Sequence, residues 1–264
     1  MVRTIDLNSD IGEWSSHEAG HEAGSSSPRS EKLLIRQITS ANIACGGHAG
    51  DDGSMIQVMK LCARCGVGIG AHPSYPDRMN FGRKDMDMTP DELAEAIHRQ
   101  VSRLVELASG LGLEVRHVKP HGALYNRAAG DEATALAIVE GVARTGMRLA
   151  IFGLANSPTL GTYQKAGFQV IAEAFADRRY EPDGSLRSRR FDDSLITDPD
   201  RAAAQALAIA REGRVISVTG SPVLLDAQTI CIHGDTPGSD AIAARIRCVL
   251  TDNGISASPF MFNF

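Results

Sequence analysis

Short apolar runs alternate with amphipathic stretches along the chain. In the amphipathic stretches apolar residues recur every three or four positions, which is typical of helices packed on one face. The clearest one covers Thr89–Gly110, where Thr89, Pro90 and Glu92 have the pattern of a capped helix start. Asp198-Pro199 predicts the start of another helix. The runs that predict strands are Thr4–Asn8, Ala41–Cys45, Val67–Ala71, Val115–Lys119, Leu149–Leu154, Val170–Phe175 and Thr229–His233.

The order of these elements indicates the fold class. Strands separated by helices predict a parallel sheet, because neighbouring parallel strands need crossover connections. For 264 residues we expect one α/β domain, residues 1–264, built as a seven-stranded (β/α) barrel; an open, doubly wound sheet is the alternative. Two segments interrupt the rhythm. Residues 14–30, which contain HEAG twice, predict an irregular surface loop, and residues 214–228 predict a hairpin inserted before the last strand.

Composition narrows the class of protein. The net charge is −5 and no basic stripe is present, which argues against a nucleic-acid partner. No segment approaches the run of about 18 apolar residues that a membrane span needs, and the first residues lack the apolar core of a secretory signal. The five cysteines are scattered and odd in number. They favour reduced thiols, and therefore a cytoplasmic location.

Polar side chains collect where the predicted strands end. Asp6, Asn8 and Asp10 alternate along the first strand, so their side chains point the same way. The carboxyl ends of parallel strands form the active face of α/β folds, and we therefore expect one functional site there. The segments concerned are Asp6–Glu13, Asn42–Asp51, His72–Asp77, Lys119–Gly122, Asp177-Arg178 and His233–Asp235.

Two kinds of chemistry suit these residue types. Asp10, His48 and His72 have the composition of a divalent metal site with an open position for water. The alternative is that the histidines only make structural hydrogen bonds. A proline between Lys119 and His121 makes their presentation rigid. The lysine then suits stabilisation of negative charge and the histidine proton transfer, with a salt-bridged structural lysine as the alternative.

Other catalytic motifs are absent from the sequence or unsuited to their context. The chain has no G-x-x-x-x-G-K-[ST] phosphate loop, no dinucleotide fingerprint at a strand–helix turn and no G-x-S-x-G elbow. The string HEAGH at residues 17–21 matches the zinc-protease pattern H-E-x-x-H. That pattern needs a stable helix, which the glycines and serines around it do not favour.

Seven motifs, taken together and in order, resemble the LamB/YcsF family over nearly the whole chain. They are DLNSDIGE, SANIACGGHAGD, GAHPSYPD, FGR, HVKPHGALYN, FADRRYEPDG and ICIHGDTPG. The resemblance implies a (β/α) barrel of the glycoside hydrolase/deacetylase type. It also implies that the chain is a subunit of the A type in a bacterial ATP-dependent 5-oxoprolinase. Together with B and C subunits, this enzyme opens 5-oxoproline to glutamate. ATP would then be bound through those partners, which agrees with the lack of a phosphate loop.

The matching positions imply roles for particular residues. The catalytic candidates are Asp10, Asp6, Lys119 and His121. The substrate-binding candidates are Asn8, Asn42, Tyr75, Arg83, Arg178, His233 and Asp235. By analogy with related deacetylases, an optional divalent metal would be held by Asp10, His48 and His72.

Two departures from the family pattern bear on the substrate. Gly47 stands where the family usually has an aromatic residue, which we expect to enlarge the pocket, and the loop after Glu13 is replaced by the HEAG segment. Two other functions stay open: a metal-dependent deacetylase or amidohydrolase acting on a small N-acylated or carbohydrate substrate, and a non-catalytic subunit that binds a small acid. Association into a homo-oligomer also stays open.

Overall fold

A computed structural model describes residues 3–15 and 28–262, and in it seven parallel strands close into a barrel. The ring runs through β1 (Arg3–Ile11), β2 (Ser40–Ala44), β3 (Gly68–His72), β4 (Val115–Val118), β5 (Ala150–Leu154), β6 (Val170–Phe175) and β9 (Thr229–Cys231), and it returns to β1. Because β9 pairs with β1 as well as with β6, the sheet has no open edge there. The predicted seven-stranded barrel is confirmed, and the doubly wound alternative is wrong. The other strands are β7 Arg214–Ile216, β8 Pro222–Leu224 and β10 Ile255–Ala257.

Helices connect the barrel strands and cover the outside of the sheet. The sequence places their starts well: Thr89 caps α3 with a capping box to Glu92, and the Asp198 side chain accepts the Arg201 amide at the start of α7. Asp51, in the second polar motif, is likewise the cap of α2. The helices are α1 Pro28–Ile35, α2 Asp52–Cys65, α3 Pro90–Gly110, α4 Gly122–Ala128, α5 Glu132–Ala143, α6 Leu160–Lys165, α7 Pro199–Glu212 and α8 Ser239–Asp252.

Two segments differ from expectation in detail. Helix α1 already begins at Pro28, so the predicted 14–30 loop is too long at its end; its residues 16–27, including the HEAGH string, lie outside the described residues. Strand β10 was not predicted. It pairs with the first three residues of β1, on the part of that strand that precedes its pairing with β9.

The strands β7 and β8 form an antiparallel hairpin outside the barrel, within residues 214–228. Among the described residues no helix is both long and apolar enough to cross a membrane.

Strand β1 positions most of the site. It extends three residues past the predicted end, to Ile11, so Asp10 lies within the strand. Residues 5 to 11 are all buried. Leu7 and Ile11 belong to the apolar core shared with the helices, while Asp6, Asn8 and Asp10 alternate with them and point into the barrel. The barrel interior is therefore polar, and each polar group in it needs a partner.

Candidate active site

The lowest polar layer of the barrel surrounds Asp6. One of its carboxylate oxygens accepts the hydroxyls of Thr39 at 2.6 Å and Ser40 at 2.7 Å, and the other accepts Thr229 at 2.5 Å. Burial raises the pKa of Asp6 to about 6, against the opposing effect of these hydrogen bonds. The predicted catalytic candidate Asp6 does not line the cavity above; its neighbours are structural hydroxyls.

The next layer is a chain of amides across the barrel. Asn8 donates to Glu173 at 2.9 Å, and Asn42 donates to the Asn8 carbonyl oxygen and to Asp10, both at 2.8 Å. His117 lies 2.8 Å from the Asn42 carbonyl oxygen. Its ring occupies the space that a Cβ at Gly70 would fill, which explains the glycine there. The predicted substrate-binding residues Asn8 and Asn42 thus lie below the cavity and support its floor.

A cavity of about 770 Å³ opens above this layer, at the carboxyl ends of the barrel strands. This is the location that the sequence predicted from the fold class. Of the predicted site residues it brings together Asp10, His72, Arg83, Lys119, His121, Arg178, His233 and Asp235. Glu13, which lies in the predicted segment Asp6–Glu13 but received no individual role, also lines it, as do the charged residues Asp183, Arg189 and Arg190, which were not predicted.

Lys119 lies on the cavity floor between two carboxylates. Its ammonium is 2.9 Å from Asp10, 3.0 Å from Glu173 and 3.1 Å from the Cys231 sulfur. Burial alone would lower the pKa of Lys119, but the nearby negative charges hold it well above its usual range. The lysine is therefore a permanent positive charge at the floor and not a proton acceptor.

Asp10 stays ionised for the complementary reason. Burial would raise the pKa of its carboxyl, but His72 and Lys119 hold it well below its usual range. Its Oδ1 accepts hydrogen bonds from the Lys119 ammonium and the Asn42 amide, and its Oδ2 lies 3.4 Å from Nε2 of His72. Asp10 therefore presents a fixed negative charge next to the histidines.

A buried cluster of three histidines and Glu13 lies at one side of the floor. Glu13, His72 and His121 line the cavity, whereas the predicted metal ligand His48 lies behind them and does not. His48 Nε2 lies 3.2 Å from Glu13 Oε1, and His121 Nδ1 lies 3.0 Å from His72 Nε2 and 3.5 Å from the same Glu13 oxygen. The rings of His48 and His121 stack with their centroids 3.7 Å apart. Burial raises the pKa of Glu13 to about 7 and lowers the pKa of His48 and of His121 well below the usual range.

This cluster has the donor set of a metal site. Glu13, His48, His72 and His121 each offer one ligand atom, all within 4.8 Å of one another. Imidazole nitrogens with one carboxylate oxygen suit Zn²⁺ and similar transition metals. The predicted trio of Asp10, His48 and His72 thus overlaps the group in its two histidines, while Glu13 stands in it where Asp10 was expected.

Asp177 and His233 form a pair away from the histidine cluster, and the sequence did not predict that they would contact each other. His233 Nδ1 lies 3.0 Å from Asp177, which also accepts the His233 backbone amide and the Thr236 hydroxyl. Burial would raise the pKa of Asp177, but His233 and these hydrogen bonds hold it below its usual value. A carboxylate on one ring nitrogen orients an imidazole for proton transfer by the other. Asp177 follows the sixth strand directly, so its position was visible in the sequence, but its partner was not.

Arginines form the upper wall of the cavity. Arg83 and Arg189 both pair with Asp235, the second at 2.9 Å. Arg178 is buried and donates to the Arg187 carbonyl at 2.6 Å, and its Nε has no hydrogen-bond partner in the described part of the chain. Burial lowers the pKa of Arg178 to about 10. The cavity wall therefore carries several guanidinium groups around one carboxylate, an arrangement suited to an anionic ligand.

Two further sequence expectations fall outside the cavity. Tyr75, a predicted substrate-binding residue, is only 1% exposed and does not line it. Gly47 does not enlarge the pocket either, because the Gln100 and Ser74 side chains fill the space where a Cβ would stand. That prediction is wrong; the glycine instead allows Gln100 to pack and to bond the Ser74 backbone.

The fold and the site together define a class: (β/α)-barrel proteins with a charged cavity at the carboxyl ends of their strands. The chain belongs to the LamB/YcsF family, whose model matches residues 5–263. The resemblance inferred from the sequence motifs is thereby confirmed.

Relatives are similar along their whole length. The A component of the 5-oxoprolinase of Chloroflexus aggregans is 46% identical over 254 residues, covering 96% of this chain and 97% of the relative. A 5-oxoprolinase A component of Agrobacterium fabrum is 43% identical over 259 residues, covering 98% of both chains. The crystal structure of a lactam utilization protein from Thermus thermophilus has a TM-score of 0.87 at 35% identity, covering 97% of this chain and all of that one.

Proposed function

We propose that this chain is the hydrolytic component of an ATP-dependent 5-oxoprolinase, which opens 5-oxoproline to glutamate together with B and C subunits. The observation that carries the proposal is the cavity itself. It combines a fixed cation, ionised carboxylates and histidines on the floor with an arginine-rich wall, in a chain similar to proteins named as the A component of 5-oxoprolinase.

The arginine wall suits the charge of the substrate. 5-Oxoproline carries one carboxylate, and a guanidinium recognises a carboxylate through paired hydrogen bonds. Arg189 and Arg83 are held in place by Asp235, and the Arg178 Nε has no partner among the described residues. These side chains bind the substrate carboxylate and leave the ring amide directed at the floor.

The floor supplies the groups that amide hydrolysis needs. Water adds to the lactam carbonyl carbon, the C–N bond breaks, and the nitrogen leaves with a proton as the amine of glutamate. Lys119 stabilises the negative charge that develops on the carbonyl oxygen. His121 and the His233–Asp177 pair are placed to move protons, and Asp10 orients the attacking water. Asp6, Asn8 and Asn42 act indirectly, by holding Asp10 and Lys119.

The role of ATP follows from the chemistry of the substrate. The amide of an unstrained five-membered lactam is a poor electrophile, and phosphorylation of its carbonyl oxygen would activate it. The sequence of this chain contains no phosphate loop. We therefore assign ATP binding and phosphorylation of the carbonyl oxygen to the partner subunits. In this chain water adds to the activated carbon and the C–N bond breaks with protonation of the nitrogen, which gives the acyl phosphate of glutamate. A second water then releases glutamate and inorganic phosphate.

The test is a glutamate assay with purified components. The chain mixed alone with 5-oxoproline and ATP should release no glutamate, and addition of the B and C subunits should give steady release that depends on ATP. Robust turnover by the chain alone would overturn the division of labour. Absence of turnover with all subunits present would overturn the proposed substrate.

The histidine cluster favours one second candidate, a metal-dependent amidohydrolase or deacetylase acting without partners. Three histidines with a carboxylate are the ligand types of many hydrolytic metal sites. This candidate predicts that the chain alone, loaded with Zn²⁺, releases acetate from a small N-acetylated sugar. The 5-oxoprolinase proposal predicts no release under the same conditions.

A further inference from the structure

Four ligand atoms converge at the floor of the cavity from four separate segments. They are Glu13 Oε1 after β1, His48 Nε2 in the loop after β2, His72 Nε2 at the end of β3, and His121 Nδ1 after β4. All four residues are at least nine-tenths buried. Neither neighbouring sequence positions nor a single helix brings them together, so the barrel register alone builds the group.

The hydrogen bonds of His72 and His121 decide where their protons are. His72 Nδ1 is 2.7 Å from the Lys119 carbonyl oxygen, and His121 Nε2 is 2.9 Å from the Phe81 carbonyl oxygen. A carbonyl oxygen only accepts, so each of these nitrogens carries the hydrogen. In the neutral rings the opposite nitrogens then both carry lone pairs. These two nitrogens face each other at 3.0 Å.

Two facing lone pairs in a buried site are unfavourable unless a positive charge lies between them. The other two donor atoms favour a metal ion over a single shared proton. Three of the six separations among the four atoms, 3.0, 3.2 and 3.5 Å, are close to the edge of about 3.4 Å expected for a tetrahedron with bonds of about 2.1 Å, and all six lie within 4.8 Å. A proton shared by two nitrogens would not draw His48 and Glu13 into the same group.

We infer that Glu13, His48, His72 and His121 bind one divalent transition metal ion of the Zn²⁺ type, and that Asp10 is not a ligand. The backbone carbonyls of Lys119 and Phe81 orient two of the rings, as outer partners of metal-bound histidines commonly do. The stacked rings of His48 and His121 must tilt apart to bind the ion. The inference concerns metal binding by the chain alone. Four protein ligands leave a tetrahedral ion no open position for water. His121, with Nδ1 on the ion and Nε2 donating to Phe81, then moves no proton, and in the 5-oxoprolinase proposal that role falls to the His233–Asp177 pair.

Asp10 is excluded by its own partners. Its Oδ1 is held by Lys119 and Asn42. Its Oδ2 lies 3.4 Å from His72 Nε2, but Asp10 is not among the four residues whose ligand atoms all lie within 4.8 Å of one another, and the ammonium bound to the same carboxylate disfavours a second cation there. The same ammonium disfavours the second group of candidate ligand atoms, on Asp10, Cys231 and His233, since it lies 3.1 Å from the Cys231 sulfur. His233 in that group already uses Nδ1 for Asp177.

The test measures metal binding on the full chain without substrate. Chelator-treated protein is titrated with Zn²⁺ by calorimetry in the presence of a competing chelator. It is also titrated with Co²⁺, whose visible absorption becomes intense in a four-coordinate site with nitrogen ligands. We expect one ion per chain. Loss of a residue that only orients a metal ligand typically lowers metal affinity by about 10- to 100-fold. Loss of a ligand itself should cost more, so Glu13→Gln and His121→Gln should each weaken binding by at least about 100-fold.

Two matched variants separate this ligand set from the alternatives. Asp10→Asn should weaken binding by less than about tenfold, since it removes only a neighbouring charge. Glu31→Gln, which changes another buried carboxylate bonded to the Gly12 amide, should leave affinity unchanged. Circular dichroism and thermal unfolding of each variant show whether it is folded, and the near-isosteric Glu13→Gln keeps the test decisive if His121→Gln does not fold.

Three results would overturn the inference. One is a folded protein that binds no stoichiometric Zn²⁺ or Co²⁺, in which case a shared proton accounts for the facing nitrogens. Another is a loss of affinity in Asp10→Asn as large as that in Glu13→Gln. The third is a Co²⁺ spectrum that is unchanged by Glu13→Gln and His121→Gln.

Discussion

The interior of the barrel and the cavity directly above it are built from the same kinds of residues, but they differ in how most of those residues are partnered. In the interior, the Asp6 carboxylate receives three hydroxyls and both amide hydrogens of Asn42 have acceptors. At the cavity, His72 and His121 present facing lone pairs, and the Arg178 Nε is unpaired within the described chain. Buried polar residue types therefore do not by themselves mark a functional site. Unfilled hydrogen-bonding capacity at a cavity does. In the described interior His117 Nδ1 and Glu173 Oε2 also have no hydrogen-bond partner, but neither residue lines the cavity.

Lys119 lies on the boundary between the two regions, and its loss should have the largest effect on stability. In Lys119→Met two buried carboxylates, Asp10 and Glu173, lose their counter-charge. We expect the free energy of unfolding to fall by about 3–5 kcal/mol, as for other broken buried ion pairs. Urea denaturation measures this, with the exposed Lys84→Met as the control, expected within about 0.5 kcal/mol of the parent chain. A loss below about 1 kcal/mol in Lys119→Met would show that the two regions are not electrostatically joined.

The interior should also give stability a particular pH dependence. Asp6 has its pKa raised from 3.8 to about 6 in the folded protein, so between about pH 4 and pH 6 the folded state binds more protons than the unfolded state. The free energy of unfolding therefore falls as the pH rises through this window, by about 3 kcal/mol from this group. In Asp6→Asn this contribution should disappear. Denaturation at pH 4, 5, 6 and 7 compares the two proteins, and equal slopes would contradict the assignment.

Removing an interior amide should cost somewhat less. Asn8→Ala leaves Glu173 and Asn42 without one hydrogen bond each, and an unsatisfied buried polar group costs about 1–3 kcal/mol. The measurement is again the free energy of unfolding. An unchanged free energy of unfolding would mean that water enters the barrel interior and replaces the amide's hydrogen bonds.

Substitution of a cavity residue should change the free energy of unfolding least and should instead affect substrate binding. Arg189→Met removes a partly exposed guanidinium from Asp235, and we expect less than about 1 kcal/mol in unfolding. In the reconstituted oxoprolinase its KM for 5-oxoproline should rise about 10- to 100-fold, the value of a charged hydrogen bond. Arg179→Met, whose guanidinium pairs with Asp193 outside the cavity, is the control and should leave KM unchanged. A fall in kcat without a change in KM would argue against carboxylate recognition.

The fold was largely predictable because its signals are local. Apolar runs, the capping box at Thr89 and the Asp198-Pro199 helix start depend on neighbours within a few positions. The short strand β10 escaped prediction because three residues carry too little pattern, and its pairing with β1 joins the two ends of the described chain. The extra length of β1 was missed because Ser9 and Asp10 do not read as strand residues unless the barrel interior is polar.

The barrel class, the family and the end of the barrel at which the polar cavity lies were all predictable from the sequence. The sequence also indicated eight of the charged and histidine residues that line the cavity, including Asp10, Lys119, His121 and Asp235. The folded structure was needed to show which polar residues bond to one another and which face the cavity. In the folded chain Asp6, Asn8, Asn42 and Tyr75 do not line the cavity. Glu13 and Arg189 do line it, and Asp177 bonds to the lining residue His233. The physical reason is that contacts inside the barrel depend on the register of strands across the closed ring. Asn8, for example, bonds to Glu173, which is 165 positions away in the sequence, and a local sequence pattern does not specify such a contact.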